Sequence, residues 1–383
     1  MRVAVVSHAL IAADARARWQ VLARDYPVEV TLLVPERWTS AWLGRDREWR
    51  AEPVQEGRFA VRPLKVSEPT DCSRYAFCSI DAHLRSLQPG VICVMQDEST
   101  RVLQQMILYR RVWARDARLV FFTWNNIAIS TSTIAARWFW RNARRGTDAC
   151  IAGNSEAVSV LRAAGYEKPI LNGTEIGVDE TRFAPNPVEA ARFRQRHGLA
   201  GRVVGFAGRL VEEKGIFDLA RALLGITGDW TLLVAGGGPG SRELEDMFRA
   251  CGESSRLRLL GELSSSDMPG FFRALDALVL PSRGTPTWRE QFGLVLAQAM
   301  ACGIPVIGST SGAIPEVIGE GGLLFPEADV PGLRQQLERV LGDSELRLQL
   351  GERGRARALA KYGSAALAAD AYGWFQASVQ GRV

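Results

Sequence analysis

The chain has 383 residues, of which 47% are apolar and 23% are charged, and its formal net charge is +5. This length exceeds what one ordinary hydrophobic core holds and predicts two domains, and the composition excludes a disordered or fibrous protein. The apolar runs are too short for a membrane-spanning helix and the N-terminal residues lack the features of a signal peptide, so we expect a cytoplasmic protein.

Short apolar runs rich in β-branched residues alternate with helical patterns along the chain. Their apolarity is continuous rather than alternating, which indicates parallel strands buried on both faces of a sheet. Strands that alternate with helices indicate the α/β class, and we predict two tandem Rossmann-like doubly wound domains. The predicted strands are Val3–Val6, Val28–Val34, Val91–Met95, Leu119–Thr123, Ala149–Ala152, Val203–Ala207, Thr231–Ala235, Leu257–Leu260, Ala277–Pro281 and Pro305–Gly308.

The alternation restarts near Arg202, after a segment that contains Pro185 and Pro187. We therefore place an N-terminal domain at residues 1–184 and a C-terminal domain at residues 185–365, facing each other across a cleft. The last segment, about residues 366–383, has an amphipathic helical pattern and is expected to pack back on the N-terminal domain. Ligands of doubly wound sheets bind beyond the carboxyl ends of the strands, so the residues that directly follow each run are the functional candidates.

Polar residues follow two predicted strands of the first half. Gln96, Asp97 and Glu98 come after Val91–Met95, and Trp124 and Asn125 come after Leu119–Thr123. Their position at the strand ends makes these residues candidates for ligand contact. Asp97 and Glu98 also precede a helical pattern, so they could instead cap the N-terminus of that helix.

The segment between Arg101 and Arg145 is strongly basic, with nine arginines and one acid, Asp116. Its part "RWFWRNARR" mixes aromatic residues and arginines at helical spacing. This pattern suits a helix that lies peripherally on the inner face of an anionic membrane, and it also suits a packed helix with an arginine-rich outer face. We do not expect nucleic acid as a partner, because no nucleic-acid-binding motif accompanies the charge.

The sequence does not favour metal sites or disulfide bonds. The six cysteines are scattered without a C-x-x-C pair, which predicts reduced thiols, and the three histidines also lack ligand spacing. No D-x-D string occurs. We therefore expect no bound metal ion and no cofactor.

The first strand of the second half is followed by "GRLVEEKG". Gly208 permits a sharp turn, and Arg209 and Lys214 are two cations that would suit a diphosphate if they converge at the strand end. The alternative is that Lys214 is a solvated surface cation and that Arg209 forms a surface ion pair. The next strand is followed by "GGGPG", where Gly237 allows close approach of the backbone to a ligand, but this is no dinucleotide fingerprint and makes a nicotinamide dehydrogenase a weak candidate.

The stretch "EQFGLVLAQAMACG" begins with a carboxylate before an apolar run. We predict a helix from about Gln291, whose free N–H groups would attract an anion, with Gly293 leaving room for its approach. Glu290 would accept hydrogen bonds from sugar hydroxyls, and Gln298 would lie two turns along on nearly the same face. Glu290 also suits a purely structural role at the helix start.

Four motifs in this order resemble the second domain of retaining glycosyltransferases of family 4, which have the GT-B fold. They are "FAGRLVEEKG", "VAGGGPG", "DALVLPS" and "EQFGLVLAQAMACGIPVIGSTSGAIPEVI", and the resemblance covers about residues 203–326. It implies retaining transfer of a sugar from a nucleotide-diphosphate sugar, by default a UDP-sugar, to an unidentified acceptor such as a glycan, a lipid-linked sugar or a small metabolite. The leaving diphosphate would be neutralised without a metal ion.

The resemblance also implies residue roles. Arg209 and Lys214 would hold the diphosphate and Glu290 the sugar hydroxyls, which makes these three the expected catalytic residues. The residues expected to bind the donor are Gly208, Gly237, Leu263, Gln291, Phe292, Gly293, Leu294 and Gln298. In the N-terminal domain, the residues expected to bind the acceptor are Gln96, Asp97, Glu98, Trp124 and Asn125.

Two residues depart from the family pattern. Gln298 stands where the family usually has a glutamate that binds ribose hydroxyls, and Trp124 stands where many relatives carry a histidine. An amide keeps an acceptor oxygen without the charge, so we expect weaker ribose binding. These departures suit one alternative, a catalytically silent nucleotide-sugar-binding paralogue. A second alternative is a GT-B synthase or phosphorylase that uses a sugar phosphate.

Overall fold

Two sheets, each with its own helices, organise the chain. The computed structural model describes residues 1–39, 48–129 and 131–379. One unit comprises Met1–Gly177 and the C-terminal helix, and the other comprises Val178–Gly363. The last four residues of the predicted C-terminal helix, 380–383, lie outside the described residues.

The boundary between the units lies at residues 177 and 178, earlier than the 184 and 185 expected from the prolines. The segment in between belongs to the second unit because its contacts are there. Val178 donates a backbone hydrogen bond to the carbonyl of Tyr362 at 2.7 Å. The Arg273 side chain donates to the carbonyl of Ala184 at 2.7 Å. Side-chain and backbone contacts, rather than the prolines, therefore fix the boundary.

The first unit contains an eight-stranded sheet and two small antiparallel pairs. Its strands are β1 (Arg2–Val6), β2 (Glu29–Pro35), β3 (Arg37–Thr39), β4 (Glu48–Arg50), β5 (Val54–Glu56), β6 (Phe59–Leu64), β7 (Val66–Ser67), β8 (Ala76–Phe77), β9 (Val91–Val94), β10 (Arg118–Thr123), β11 (Ala149–Ala152) and β12 (Ile170–Asn172). The order of the large sheet is β12-β11-β10-β9-β1-β2-β6-β5, parallel except for the pairing of β5 with β6. The order reverses between β1 and β9.

The helices of this part are α1 (Ala17–Asp25), α2 (Ile80–Leu87), α3 (Arg101–Trp113), α4 (Ile134–Gly146) and α5 (Ser155–Ala163). Side-chain caps begin two of them, because the Thr133 hydroxyl accepts from the amide of Ala136 and the Asn154 carbonyl from that of Ala157. Both caps satisfy an amide that the first helical turn leaves unpaired.

The second unit contains a six-stranded, fully parallel sheet of order β15-β14-β13-β16-β17-β18. Its strands are β13 (Arg202–Ala207), β14 (Trp230–Ala235), β15 (Leu257–Leu259), β16 (Ala277–Leu280), β17 (Val306–Ser309) and β18 (Leu323–Phe325). Its helices are α6 (Pro187–Arg196), α7 (Ile216–Leu224), α8 (Ser241–Ala250), α9 (Met268–Arg273), α10 (Leu294–Ala301), α11 (Ile314–Ile318), α12 (Val330–Gly342) and α13 (Ser344–Tyr362). This is the strand order of a dinucleotide-binding doubly wound sheet, and it reverses between β13 and β16.

The final helix, α14 (Ser364–Val379), packs on the first unit. Its Phe375 stacks on Trp19 of α1 with ring centroids 6.5 Å apart, and Tyr372 contacts Tyr26 at 4.5 Å. The helix begins two residues earlier than the 366 expected from the sequence, at Ser364.

The predicted fold class is confirmed, and each predicted strand is present with its ends within one residue of those expected. The strands missed in the large sheets were short or mixed in polarity. The longest of them, β6, contains Arg62 and Pro63 and pairs with β2 in parallel. Its side chains are buried at only four of six positions, so it lacked the continuous apolarity that marked the other strands.

Candidate functional site

The loop between β13 and α7 brings Lys214 to the carboxyl end of the second sheet. A short 3-10 turn, Glu212–Lys214, ends at Gly215, which has a left-handed φ of 69°. A Cβ on Gly215 would lie 1.9 Å from the carbonyl oxygen of Pro281, directly after β16. The two loops that flank the reversal point are thus in backbone contact, and only glycine fits between them.

Lys214 and Glu290 form an ion pair at this place. The Lys214 Nζ lies 2.7 Å from Glu290 Oε2, and the two side chains are 17% and 9% exposed. The same carboxylate oxygen accepts a hydrogen bond from the Ser282 hydroxyl at 2.9 Å. The Nζ also lies 4.7 Å from the ring centroid of Trp288. A largely buried ammonium is therefore fixed between a carboxylate and an indole face.

Arg209 occupies a more open position than Lys214. Its Nη2 lies 3.7 Å from Glu213 Oε1, and its side chain is 48% exposed. That Arg209 and Lys214 converge on one diphosphate stays a prediction. Both belong to the loop that leaves β13, with Gly208 at its start.

The glycine-rich turn after β14 lies beside the loop after β15. The amide of Gly236 donates to the carbonyl of Gly261 at 2.7 Å, and Leu210 donates to Gly237 at 3.0 Å. A Cβ on Gly237 would meet no heavy atom within 4 Å, so its backbone faces open space. Leu263, two residues beyond Gly261, is half-buried. These contacts place three of the predicted donor-binding segments along one edge of the sheet.

The helix after Glu290 begins later than predicted. It starts at Leu294, with Gly293 as its N-cap residue at a φ of 77°, so Gln291 is in a bend before the helix. The left-handed Gly293 ends the loop and makes the N-terminal amides those of Leu294 and its successors. Glu290 and Gln298 therefore do not share a helical face, and that expectation was wrong.

The remaining predicted donor-binding residues differ in exposure. Phe292 is buried and packs edge-on against Tyr362 at 5.2 Å. Gln291 is exposed, and Leu294 and Gln298 are half-buried. The Phe292 side chain thus anchors the loop, and any ligand contact of this residue belongs to its backbone.

In the first unit, Asp97 and Glu98 turn toward the loop after β10. The Thr123 hydroxyl lies 2.7 Å from Asp97 Oδ1 and 3.1 Å from Glu98 Oε2. Trp124 donates its backbone amide to Asp97 at 3.1 Å, and the Asn125 side chain donates to Glu98 at 3.1 Å. Burial raises the pKa of both carboxyls, which favours the protonated forms.

The capping interpretation of these acids was wrong. The N-cap residue of α3 is Thr100, which makes no side-chain capping bond, and its hydroxyl instead donates to the carbonyl of Asp97. The adjacent pairing of β9 and β10 explains the difference, because it brings Thr123 and its successors against the two acids.

Glu175 joins this cluster from beyond β12, and sequence reasoning missed it. The Trp124 indole Nε1 donates to Glu175 Oε2 at 3.2 Å, and the Ser7 hydroxyl donates to the other oxygen at 3.4 Å. Burial raises the pKa of Glu175 to about 7, and the hydrogen bond from Trp124 acts in the opposite direction. Neighbouring Arg18 is buried as well, and burial lowers the pKa of its guanidinium to about 10.

Gln96 lies against His8, the second residue after β1. Its Nε2 is 2.7 Å from His8 Nδ1 and donates to the carbonyl of Met95 at 2.5 Å. The signal for His8 and Ser7 was their position directly after the first strand. The signal for Glu175 was weaker, because it follows β12, which was not predicted.

Within residues 1–39, 48–129 and 131–379, no group of three or more His, Cys, Asp or Glu side chains is arranged to hold a metal ion. None of the helices in those ranges combines the length and the apolarity needed to cross a membrane.

Comparison with known proteins finds similarity to glycosyltransferases. Residues 188–357 match the family model described as glycosyl transferases group 1. A GDP-mannose-dependent alpha-(1-6)-phosphatidylinositol monomannoside mannosyltransferase of Mycolicibacterium smegmatis is 34% identical over 48% of this chain and 50% of its own length. The alpha-D-kanosaminyltransferase of Streptomyces kanamyceticus is 27% identical over 73% of this chain and 69% of its own length. The chain thus spans about half the length of the first of these relatives.

Solved structures match over the whole chain. Sucrose-phosphate synthase from Thermosynechococcus elongatus gives a TM-score of 0.75 at 19% identity and covers 100% of both chains. Anabaena HepE in complex with UDP gives 0.73 at 18% identity, over 98% of this chain and 100% of the other. The fold is GT-B, and residues 188–357 of the second unit are similar to the glycosyl transferases group 1 family.

Proposed function

We propose that the protein is a retaining glycosyltransferase that uses a nucleoside-diphosphate sugar and no metal ion. The observation that carries the proposal is the buried Lys214–Glu290 pair, which stands where β13 and β16 end side by side. Sheets of this strand order bind nucleotides at the reversal point. The group 1 match covers the same unit and supports the assignment.

The leaving group determines what the site must do. Cleavage of the bond between the sugar and the diphosphate leaves negative charge on the phosphate oxygens. Lys214 has three N–H donors, so it holds Glu290 and a phosphate oxygen at once, and Arg209 contributes a second cation from the same loop. Glu290 contacts donor hydroxyls. The acceptor contacts Gln96, Asp97, Glu98, Trp124 and Asn125 of the first unit.

The nucleotide is tested by thermal unfolding in the presence of UDP, GDP, ADP, dTDP and their sugars. We expect a UDP-sugar to give the largest rise in Tm, and GDP-mannose is the competing candidate because several relatives are named for it. A ligand at 100 times its Kd stabilises by about 2.7 kcal/mol. The rise should survive EDTA. A panel without any stabilising nucleotide contradicts the proposal, and a rise lost with EDTA contradicts its metal independence.

We further propose that the first unit contacts an anionic membrane through α3 and α4. Ile134, Trp138 and Trp113 are 79%, 54% and 56% exposed on these helices. Neither helix contains an acid, and α4 contains four arginines. Exposed aromatic and aliphatic side chains among arginines suit the interface of an anionic bilayer.

Sedimentation with lipid vesicles tests the membrane contact. We expect binding to phosphatidylglycerol-containing vesicles that weakens at high salt, and little binding to pure phosphatidylcholine. Trp138→Ala should reduce the bound fraction several-fold because it removes an interfacial anchor. Leu348→Ala, which alters an equally exposed apolar residue of the second unit, is the matched control. Equal binding to both lipids, or no effect of Trp138→Ala, contradicts the proposal.

A further inference from the structure

A set of polar residues, hydrogen-bonded in two groups of which the His8–Gln96 pair is one, lies at the carboxyl ends of β1, β9 and β10, which are adjacent in the first sheet. We call it the unit-1 polar cluster and define it as Ser7, His8, Gln96, Asp97, Glu98, Thr123, Trp124, Asn125 and Glu175. The strand order of the sheet reverses between β1 and β9, and this is the position at which doubly wound sheets bind ligands.

The hydrogen bonds of Gln96 fix the tautomer of His8. The amide Nε2 of Gln96 donates to the carbonyl of Met95, so the atom beside His8 is the nitrogen and not the oxygen. This nitrogen has a second hydrogen, which points to His8 Nδ1 at 2.7 Å. Nδ1 is therefore the acceptor, and the ring proton of neutral His8 resides on Nε2.

The surroundings keep His8 neutral. Its ring packs against Trp38 with centroids 4.8 Å apart and against Tyr75 at 5.8 Å. Burial lowers the pKa of His8 to about 4. Within the described part of the chain, Nε2 forms no hydrogen bond with another residue. At neutral pH it is an uncharged N–H donor in a half-buried ring.

Trp124 is held in one orientation within the cluster. Its backbone amide bonds to Asp97 and its indole Nε1 to Glu175. Phe122 contacts the ring edge-on at 4.9 Å, and a Cβ on Gly153 would fall 2.1 Å from the ring. A fixed, half-buried indole offers a flat apolar surface that suits the C–H face of a sugar ring.

The charges of the cluster disfavour a phosphate. Asp97, Glu98 and Glu175 are carboxyl groups, and the one cation that interacts with them in this part of the structure is the buried guanidinium of Arg18. Burial favours the protonated forms of Asp97 and Glu98, so these carboxyl groups act as hydrogen-bonding partners, and none of the defined cluster residues supplies a cation that would neutralise an incoming phosphate. Ring hydroxyls donate to carboxylates and accept from an imidazole N–H, so they complement both kinds of group.

We propose that the unit-1 polar cluster binds an uncharged polyhydroxylated ring of the glycosyl acceptor. His8 Nε2–H donates to a ring oxygen, and Trp124 stacks on the ring. The proposal rests on the function proposed above, since it defines the acceptor of that reaction. It excludes a phosphate group at this cluster while leaving phosphate chemistry to the second unit.

Histidine NMR tests the geometry without any substrate, because the chain has only three histidines, His8, His83 and His197. In protein labelled with ¹⁵N-histidine, the signal lost in His8→Phe belongs to His8, and His83→Gln controls that assignment. We expect the Nε2–H tautomer of a neutral ring at pH 7. Gln96→Glu should invert the tautomer, since a carboxylate accepts from Nδ1–H. A charged ring or the Nδ1–H tautomer in the wild type would overturn the proposal.

The ligand class is tested with matched probes, methyl α-D-mannopyranoside against mannose 6-phosphate and myo-inositol against its monophosphate. We expect the uncharged member of at least one pair to shift the His8 signals and the phosphorylated member to act at least tenfold more weakly. His8→Phe should weaken binding of the uncharged probe several-fold in calorimetry, while nucleotide stabilisation remains. A preference for the phosphorylated members, or no response to either member of both pairs, would overturn the proposal.

These outcomes are separable from those of the proposed function. If no nucleotide stabilises the protein but His8 responds to an uncharged ring, the glycosyltransferase assignment fails and the ring-binding site stands. If nucleotides bind and the His8 signals respond only to the phosphorylated probes, the assignment stands and the acceptor class fails.

Discussion

Lys214→Ala is expected to lower kcat/KM by roughly 100- to 1,000-fold, because in the proposed reaction the buried Lys214 neutralises the charge that develops on the leaving phosphate. Loss of one preorganised electrostatic group in a catalytic site typically costs about 3 kcal/mol of transition-state stabilisation. Lys214 is the better choice than Arg209, since its Nζ is largely buried and held 2.7 Å from Glu290, whereas Arg209 is half-exposed. Charges act more strongly where water is excluded.

The measurement is kcat/KM with the donor that the thermal panel identifies. Lys361→Ala, a substitution of an exposed lysine on α13, is the matched control and should retain full activity. Removal of Lys214 also leaves the Glu290 carboxylate without its ion pair, so Tm must be recorded alongside activity. Lys214→Ala combined with Glu290→Gln separates the two effects, because it restores local neutrality without restoring catalysis. Activity of Lys214→Ala within threefold of the wild type would refute the catalytic role.

Gly215→Ala is expected to destabilise the second unit by about 3 kcal/mol, the largest structural effect that we predict. A left-handed φ costs a non-glycine residue about 1 to 2 kcal/mol, and forced overpacking costs a further 1 to 3 kcal/mol. Both apply here, because φ is 69° and the new Cβ would lie 1.9 Å from the Pro281 carbonyl oxygen. The loop that carries Lys214 would have to move away from β16.

Gly252→Ala is the matched control in the same unit. Its φ of 73° is nearly that of Gly215, but a Cβ there meets no heavy atom within 4 Å. We expect this variant to lose only the conformational contribution, about 1 kcal/mol. Calorimetric unfolding of both variants isolates the cost of the close approach, and equal losses would show that the contact between the two loops is unimportant. Nucleotide binding should also weaken in Gly215→Ala alone.

The sequence predicted the strands well because parallel strands buried on both faces carry a continuous apolar signal. The family resemblance assigned Lys214 and Glu290 to one donor site, which stays a prediction, and the structure pairs the two side chains at 2.7 Å. The prediction that Gln298 shares a helical face with Glu290 was wrong, because the left-handed conformation of Gly293 delays the start of α10 to Leu294. Residue spacing predicts a shared helical face only when both residues lie within the helix, and its first residue could not be read from the sequence.

Contacts between distant parts of the chain were beyond prediction. Ser7 and Glu175 are separated by 168 residues, and the Ser7 hydroxyl donates a hydrogen bond to the Glu175 carboxylate. The partly buried bidentate pair between Arg283 and Asp218, which holds the loop after β16 against α7, was missed for the same reason. Neither pair has a local sequence signal, because each depends on the order in which the strands assemble.

The return of α14 to the first unit constrains how the polypeptide matures. Every residue of the second unit leaves the ribosome before Ser364 does, whereas the first unit lacks the helix that covers Trp19 and Tyr26 until translation reaches about Phe375. The first unit, although synthesised earlier, therefore keeps an apolar surface of α1 uncovered until α14 has been made. Chaperone dependence should accordingly concentrate on the N-terminal half of the nascent chain.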